Sequence, residues 1–340
     1  MRNYILRRAI YSAIVLLVVS FISFLMLIKL GNPFNELLMN PYVKPEDVQR
    51  LIHLYHWDLP FLPRYFYWLK NFFLFQNGWG PSTMQIGKTA LELISQKIGI
   101  TVTIMSSVIG LSFLIAIFVG IYSALHQYTA SDFFFTFLAF FGISMPVFWT
   151  GTVLIYVFSV FPTTHLFGHP ILPAGSMHSA FLTIGGQLYN FYQAPFVYQI
   201  LDRIWHLILP IFVLILWNVA GWLRYTRSSM LEVMNQDYIR TARAKGLPER
   251  VVIYKHAFRN AIIPLVTLLG LSLPNVVGGA LITETVFSID GIGRLTYNAV
   301  MQRDLFTAMA LIMVFSILTV VGNLLADIFY AVLDPRIRYS

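Results

Sequence analysis

The sequence contains no cysteine and few charged residues, and both absences restrict what this chain can be. Without cysteine, its 340 residues can form no disulfide, no thiolate metal site and no cysteine nucleophile. Charged residues make up 11% of the chain and hydrophobic residues 57%, whereas a soluble domain carries about 25% charged residues. So few charges cannot cover a soluble globule of this length. The composition, with a mean hydropathy of +0.70, therefore predicts a polytopic integral membrane protein.

Motifs of soluble enzymes are also missing. Neither His-Glu-x-x-His nor Gly-x-Ser-x-Gly occurs, so nothing indicates a zinc or serine hydrolase. Residues 82–89 resemble a phosphate-binding loop, but serine replaces its first glycine. The pairs His53/His56 and His165/His169 have spacings that could share a helix face, but Gly168 and Pro170 argue against a helix at the second pair. Carboxylates near the first pair could complete a metal site, although nothing in the sequence requires one. We predict no catalytic residue, no metal site and no cofactor bound by this chain.

Apolar runs of about the 20 residues that a bilayer requires recur along the chain. They predict an all-α integral membrane domain covering residues 1–340, and the six expected transmembrane helices are 9–28, 101–125, 133–161, 207–223, 261–283 and 305–330. The third span contains Pro146, which should interrupt its backbone hydrogen bonds. The first apolar run is longer than a usual signal-peptide core and no cleavage site closes it, so we interpret it as a retained span.

The distribution of basic residues indicates which segments lie inside the cell. Of the 23 Lys and Arg residues, 13 fall in the N-terminal residues, in segment 224–260 and in the C-terminal tail. Lysine and arginine concentrate in cytoplasmic loops. We therefore predict that both termini and 224–260 are cytoplasmic. The outer segments are then 30–99, 162–206 and 284–304.

Segment 224–260 is too polar to lie in lipid and is punctuated near its middle. Residues 242–245 favour a helix, which Gly246 can close in the left-handed conformation. Pro248 suits the first position of a second helix, with Glu249 at its positive end. The pattern predicts a helix, a glycine hinge and a further helix. Composition alone leaves two interpretations open, a solvated cytoplasmic loop or a rigid elbow that docks into another protein.

Several stretches in this segment and beyond it resemble one family of membrane proteins. The matching stretches are 142–149, 227–234, 237–246, 256–264, 283–288, 291–294 and 333–338. They are similar to the inner membrane permeases of peptide-class ATP-binding-cassette (ABC) importers. The match is to the first of the two permease subunits, of the dipeptide, oligopeptide or nickel type. The resemblance covers nearly the whole chain and is most specific from 224 to 304.

The resemblance implies the type I permease fold of ABC importers, with a cytoplasmic coupling helix in loop 224–260. Arg240-Thr241-Ala242 stand where that family has Glu-Ala-Ala, and Gly246 matches its glycine. The coupling helix is expected to sit in a groove of a cytoplasmic ATPase. The residues expected at this ATPase contact are Arg240, Thr241, Ala242, Arg243, Ala244, Lys245, Gly246, Leu247, Pro248, Arg250, His256 and Arg259.

Polar, small and bulky residues inside the spans or at their ends are candidates for the translocation path or its gate. These candidates are Ser144, Pro146, Trp149, Asn275, Gly278, Gly279 and Glu284. Glycines in the fifth span allow helices to approach closely, and proline allows the span to bend. Ordinary tight packing is the alternative explanation of the same pattern.

The implied function is that of a non-catalytic permease subunit importing di- or oligopeptides across the cytoplasmic membrane of a prokaryote. Its expected partners are a homologous second permease, two ATPase subunits that bind ATP and magnesium, an extracytoplasmic binding protein and the lipid bilayer, without nucleic acid. The same machinery could instead import nickel or oligosaccharides. An ATPase-independent channel or carrier would need ionisable groups at mid-membrane, where the sequence has almost none. A membrane-embedded hydrolase would need polar catalytic groups that face each other within the membrane.

Overall fold

The computed structural model describes residues 2–29, 31–38, 43–272, 276 and 280–333, and nearly all of its regular structure is helical. Its helices are α1 Arg2–Lys29, α2 Phe34–Leu38, α3 Pro45–Leu54, α4 Phe61–Phe73, α5 Ala90–Leu125, α6 Ala130–Ser144, α7 Val147–Ile155, α8 Phe196–Met234, α9 Asp237–Ala244, α10 Glu249–Val251, α11 Phe258–Ala261, α12 Ile263–Ser272, α13 Leu281–Val286, α14 Ile292–Met301 and α15 Leu305–Leu333. Wider π-helical turns occupy Tyr156–Val160, Pro162–Leu166 and Val252–Ala257, and 3₁₀ turns occupy Gln76–Trp79 and Phe191–Gln193.

Within the described residues, four helical stretches are long and apolar enough to cross a membrane. They are Ala90–Leu125, Val147–Leu166, Phe196–Met234 and Leu305–Leu325. Shorter apolar helices cover Ile10–Met26, Ala130–Ser144 and Ile263–Ser272. Each predicted span overlaps at least one of these stretches.

The predicted third span is interrupted at Pro146. Helix α6 ends at Ser144 and α7 begins at Val147, with Met145 and Pro146 both in extended conformations between them. Proline supplies no N–H for the helical ladder and disfavours helical geometry in the residue before it. The predicted interruption is confirmed, and it separates two helices instead of bending one.

The long helices extend beyond the predicted spans. Helix α5 begins at Ala90, well before the predicted start at 101, and α8 continues past both ends of 207–223. A capping box begins α5: the Thr89 hydroxyl accepts the N–H of Glu92, and the Glu92 carboxylate accepts the N–H of Thr89. Hydropathy detects only the lipid-embedded part of a helix, so polar extensions such as these are missed.

A β-hairpin departs from the predicted all-α chain. Strands β1 Phe181–Ile184 and β2 Gln187–Asn190 pair antiparallel, and Gly185 and Gly186 form the two-residue turn between them. Both glycines have positive φ, +58° and +84°, which is the requirement of a type I′ turn. The prediction was wrong here because a four-residue strand leaves almost no periodic pattern in a segment rich in aromatics.

The chain divides into two compact units. The first contains the described residues of Met1–Val102, Val277–Leu281 and Gly291–Leu324. Its core is largely aromatic: the Phe306 ring lies 5.1 Å from Trp57 and 5.4 Å from Phe34, measured between centroids. In this unit the buried Asp304 carboxylate accepts hydrogen bonds from the hydroxyls of Ser82 and Thr307.

The second unit contains the described residues of Thr103–Val276, Ile282–Asp290 and Leu325–Ser340. It includes the hairpin, the full length of α8 and the predicted coupling segment. The prediction of a single integral domain over residues 1–340 stays a prediction.

Candidate functional site

The predicted helix, glycine hinge and further helix are present in segment 224–260. Helix α9 ends at Ala244, and Gly246, two residues later, has a φ of +74°. The N–H of Gly246 donates to the Arg243 carbonyl at 2.9 Å, and the N–H of Leu247 donates to the Ala242 carbonyl at 3.4 Å. These two bonds form a Schellman cap, which requires a left-handed residue at the glycine position. A Cβ here would meet no atom within 4 Å, so glycine is favoured by its backbone conformation and not by lack of space.

Pro248 was predicted at the first position of the second helix, but it precedes that helix by one residue. It is the N-cap of α10, with an extended ψ of 139°, and the helix begins at Glu249. The Pro248 carbonyl accepts the N–H groups of Val251 and Val252 at 2.8 and 3.2 Å. The chain then widens into the π-helical turn Val252–Ala257, which local sequence did not predict. Such turns are frequent at functional sites.

Arg243 and Glu249 connect the two sides of the hinge. The guanidinium donates two parallel hydrogen bonds to the carboxylate, from Nε to Oε2 at 3.2 Å and from Nη2 to Oε1 at 2.8 Å. The bond from Arg243 lowers the pKa of Glu249, and the same bond raises the pKa of Arg243. Both groups are well exposed, so we expect the pair to contribute at most about 1 kcal/mol. Arg243, predicted as an ATPase contact, thus also bridges α9 and α10 across the hinge.

The inner side of the loop is an apolar cluster that continues into three apolar helices. Ile239 is fully buried and Ala242, a predicted contact residue, is buried beside it. The cluster, termed the loop core, consists of Ile117, Ile121, Ala124, Met230, Ile239, Ala242, Val252, Ile253, Ala257, Ala261 and Leu265. It joins α9 and the π-helical turn to the ends of α5, α8 and α12. A second link is the hydrogen bond of 2.8 Å from Asn260 to the Tyr238 hydroxyl.

The outer side of the loop carries most of the predicted contact residues. Those that are exposed are Arg240, Thr241, Arg243, Ala244, Lys245, Gly246, Leu247, Pro248, Arg250 and Arg259, and we term this surface the basic face. His256 is half-buried. Exposed Tyr254 adds an aromatic ring that the sequence analysis did not single out. Arginine and aromatic side chains, which the basic face and Tyr254 supply, are enriched at protein interfaces.

A buried ion pair that sequence reasoning missed lies near the loop. Arg227 of α8 donates to Asp132 of α6 from Nε and from Nη2, both at 2.8 Å. The same carboxylate accepts the Ser123 hydroxyl of α5 and the N–H of Tyr128. The side chains of Asp132 and Arg227 are 3% and 26% exposed. This network fastens the turn between α5 and α6 to the end of α8 that leads into the loop.

The structure describes four of the seven candidate path residues. Ser144 and Trp149 are exposed on either side of Pro146, at the break between α6 and α7, and the Ser144 hydroxyl donates to the Phe140 carbonyl at 2.8 Å. Glu284 is buried in α13. The three others, Asn275, Gly278 and Gly279, lie outside the described residues.

Comparison with known proteins identifies the family. Residues 116–339 match the family described as the binding-protein-dependent transport system inner membrane component. The chain is 38% identical over 340 residues to the oligopeptide transport system permease protein AppB of Bacillus subtilis, and all of both chains is covered. It is 35% identical to a putative peptide permease of Brucella ovis and 32% identical to the dipeptide transport system permease protein DppB of Alkalihalophilus pseudofirmus, again over full lengths. The chain therefore belongs to the family of binding-protein-dependent transport system inner membrane components.

Proposed function

We propose that this chain is a permease subunit of an ABC importer that moves di- or oligopeptides across the cytoplasmic membrane of a prokaryote. The full-length similarity to permeases named for oligopeptide and dipeptide transport supports this function. The chain crosses the membrane six times in the type I fold, with both termini and loop 224–260 in the cytoplasm. It pairs with a second permease, two ATPases that hold ATP and magnesium, and an extracytoplasmic binding protein.

The loop core is the observation that carries the coupling role. A partner gripping the basic face would act on α9, whose Ile239 and Ala242 pack among residues of α5, α8 and α12. Close-packed cores transmit displacement because their side chains have little free volume. Movement of α9 is therefore passed to these helices. Closure of the ATPases on ATP would move the loops of both permeases and open the cavity outward, and hydrolysis would reset them.

The Asp132–Arg227 pair supplies a second connection in this mechanism. It joins α8 to the start of α6, which ends at the break before Pro146. Displacement of α8 would then be carried to α6 as well as to α5. The break gives α7 freedom to change its angle, so Ser144, Pro146 and Trp149 are suited to gating. Asn275, Gly278, Gly279 and Glu284 complete the proposed path.

The hinge glycine provides the test. Gly246→Val forces a β-branched residue into the left-handed region, at a cost of about 1–3 kcal/mol. In proteoliposomes that contain both permeases and both ATPases and are supplied with the binding protein, we expect peptide uptake to fall at least tenfold while ATP hydrolysis persists. Gly168→Val is the matched control, because Gly168 also has a left-handed φ of +72° and no atom within 4 Å of a Cβ. It should retain uptake.

Charge reversal tests the basic face itself. Lys245→Glu with Arg250→Glu changes exposed groups and leaves the Arg243–Glu249 pair in place, so the loop should stay folded while its attraction to the ATPase is lost. Uptake and ATPase association should both drop. Full transport by this double variant and by Gly246→Val would refute the coupling role.

A further inference from the structure

Helix α4 belongs to the predicted outer segment 30–99, yet it packs against the middle of α1. The Tyr65 hydroxyl lies 2.7 Å from the Ser20 hydroxyl and also donates to the Leu17 carbonyl at 3.4 Å. The Tyr65 ring lies 5.3 Å from that of Phe21 and 5.5 Å from that of Phe24. These contacts place α4 alongside residues that the sequence assigns to the first membrane span.

The length of the apolar run in α1 gives the depth of its contact with α4 in the membrane. Residues 9–28 rise about 30 Å as a helix, which equals the thickness of the hydrocarbon core. Arg7 and Arg8 hold the other end in the headgroups. Counting back from residue 28 at 1.5 Å per residue, Phe24 lies about 6 Å and Ser20 about 12 Å below the outer boundary. Helix α4 is therefore at the level of acyl chains and not in bulk water.

The exposed side of α4 carries a line of apolar side chains next to Lys70. Leu62, Phe66 and Phe73 are 55%, 61% and 51% exposed, and half-buried Leu69 lies between them. Their spacings of four, three and four residues place them in one line along the helix. This line of four residues is termed the α4 stripe.

The polar groups of α4 do not interrupt the stripe. Arg64 donates from Nε and Nη2 to the Leu59 carbonyl at 3.0 and 2.7 Å, and its guanidinium carbon lies 5.1 Å from the Trp57 ring centroid. Lys70 is exposed at one edge of the stripe, where its long side chain can reach the headgroups.

We propose that α4 is an in-plane membrane anchor whose stripe lies in the acyl chains of the outer leaflet. With the N-terminus inside, as proposed above, the contact level on α1 selects that leaflet. Exposed Ile14, Val18 and Ile22 of α1 already form an apolar surface of the same kind, which the stripe continues. Interfacial helices bury an apolar face about 5–10 Å into the bilayer, a range that overlaps the depths of about 6 and 12 Å counted to Phe24 and Ser20.

Spin labels can measure the depth of the α4 stripe in the membrane directly. Because the chain lacks cysteine, one introduced cysteine gives it a single labelling site. Phe66→Cys and Phe73→Cys would be labelled in the assembled transporter, in vesicles of phosphatidylethanolamine and phosphatidylglycerol. Oxygen partitions into acyl chains, whereas a water-soluble nickel chelate stays outside. Val18→Cys gives the lipid reference, and Gln85→Cys, exposed in a loop of the same unit, gives the water reference.

Labels at 66 and 73 should collide with oxygen as often as the lipid reference label at 18 does. Their collisions with the nickel chelate should be several-fold less frequent than those of the water reference label at 85. Two results would overturn the proposal. Chelate collisions equal to those at 85 would place the stripe in water. Shielding of both labels from both reagents would mean that a protein subunit covers it. If the variant at 66 does not assemble, the label at 73 alone decides by the same criterion.

Discussion

Helices α9 and α4 are both amphipathic, and each buries one face against longer helices. Helix α9 buries Ile239 and Ala242, while α4 buries Tyr65 and Trp68. The two helices differ in the face that stays exposed. Helix α9 and the hinge after it present the basic face, whereas α4 presents the α4 stripe. The buried face decides where a helix packs, and the remaining face decides whether protein or lipid covers it.

Two buried carboxylates also differ, in the groups that donate hydrogen bonds to them. Asp132, near the loop, takes two hydrogen bonds from a guanidinium, which joins two helices with complementary charges. Asp304, in the other unit, takes hydroxyl hydrogen bonds from Ser82 and Thr307 at the start of α15. The ion pair joins α6 to α8, and the hydroxyl cluster joins the start of α15 to the loop that contains Ser82.

The largest expected effect is that of Asp132→Ala. It leaves Arg227 without its partner in a largely desolvated site, which should cost about 3 kcal/mol. Asp304→Ala frees only neutral donors, which include the hydroxyls of Ser82 and Thr307 and the backbone N–H of Thr307, and should cost about 2 kcal/mol. Thermal unfolding of the purified complex measures both.

Asp47→Ala is the control, because the Asp47–Arg50 pair is exposed and its loss should cost under about 0.5 kcal/mol. If Asp132→Ala unfolds at the same temperature as this control, the ion pair does not connect the helices as described.

A smaller effect is expected from the inner face of α9. Ile239→Ala removes a fully buried side chain from the loop core and should loosen the loop by about 2–3 kcal/mol. Amide hydrogen exchange in α9 should accelerate, and uptake should fall relative to ATP hydrolysis. Thr241→Ala, on the exposed side of the same helix, should leave the exchange rate unchanged. Equal exchange in the two variants would show that the loop core does not hold α9.

The smallest effect concerns the hinge pair and pH. Because the pKa of Glu249 is lowered by Arg243, the stabilisation is present above the unfolded pKa of about 4.3. It is lost as pH falls through the lowered folded pKa. The pair is exposed, so its loss is worth under about 1 kcal/mol. On acidification, the protection factors of the Leu247 and Val251 amides, which are corrected for the intrinsic exchange rate, should fall slightly, and Glu249→Gln should remove that pH dependence. The same fall in protection in Glu249→Gln would assign it to another group.

Local chemistry allowed part of this structure to be predicted. Gly246 was predicted to close a helix in the left-handed conformation, and Pro146 to interrupt a span, because each residue restricts its own backbone. The capping position of Pro248 was missed by one residue, since proline is compatible with both sites. The hairpin at 181–190 was missed because its strands are short.

Long-range pairings could not be predicted from the sequence in the same way. Asp132 and Arg227 are 95 residues apart, and a charged residue at the end of a span equally suits solvent. The loop core likewise depends on how α5, α8 and α12 meet, which no local pattern encodes. The packing of α4 on α1 is equally non-local, because the Tyr65 hydroxyl contacts Ser20 from a segment that composition assigns to the outside.

Cross-linking tests the central claim most directly. A single cysteine at Thr241, exposed on α9, would be joined through a short thiol-to-amine reagent in the assembled transporter, with Gln85→Cys as the control. The account predicts a covalent product between this chain and an ATPase subunit from position 241, and none from 85. A cysteine at 241 that forms no such product, and that reacts with a water-soluble maleimide equally fast with and without the ATPases, would contradict it.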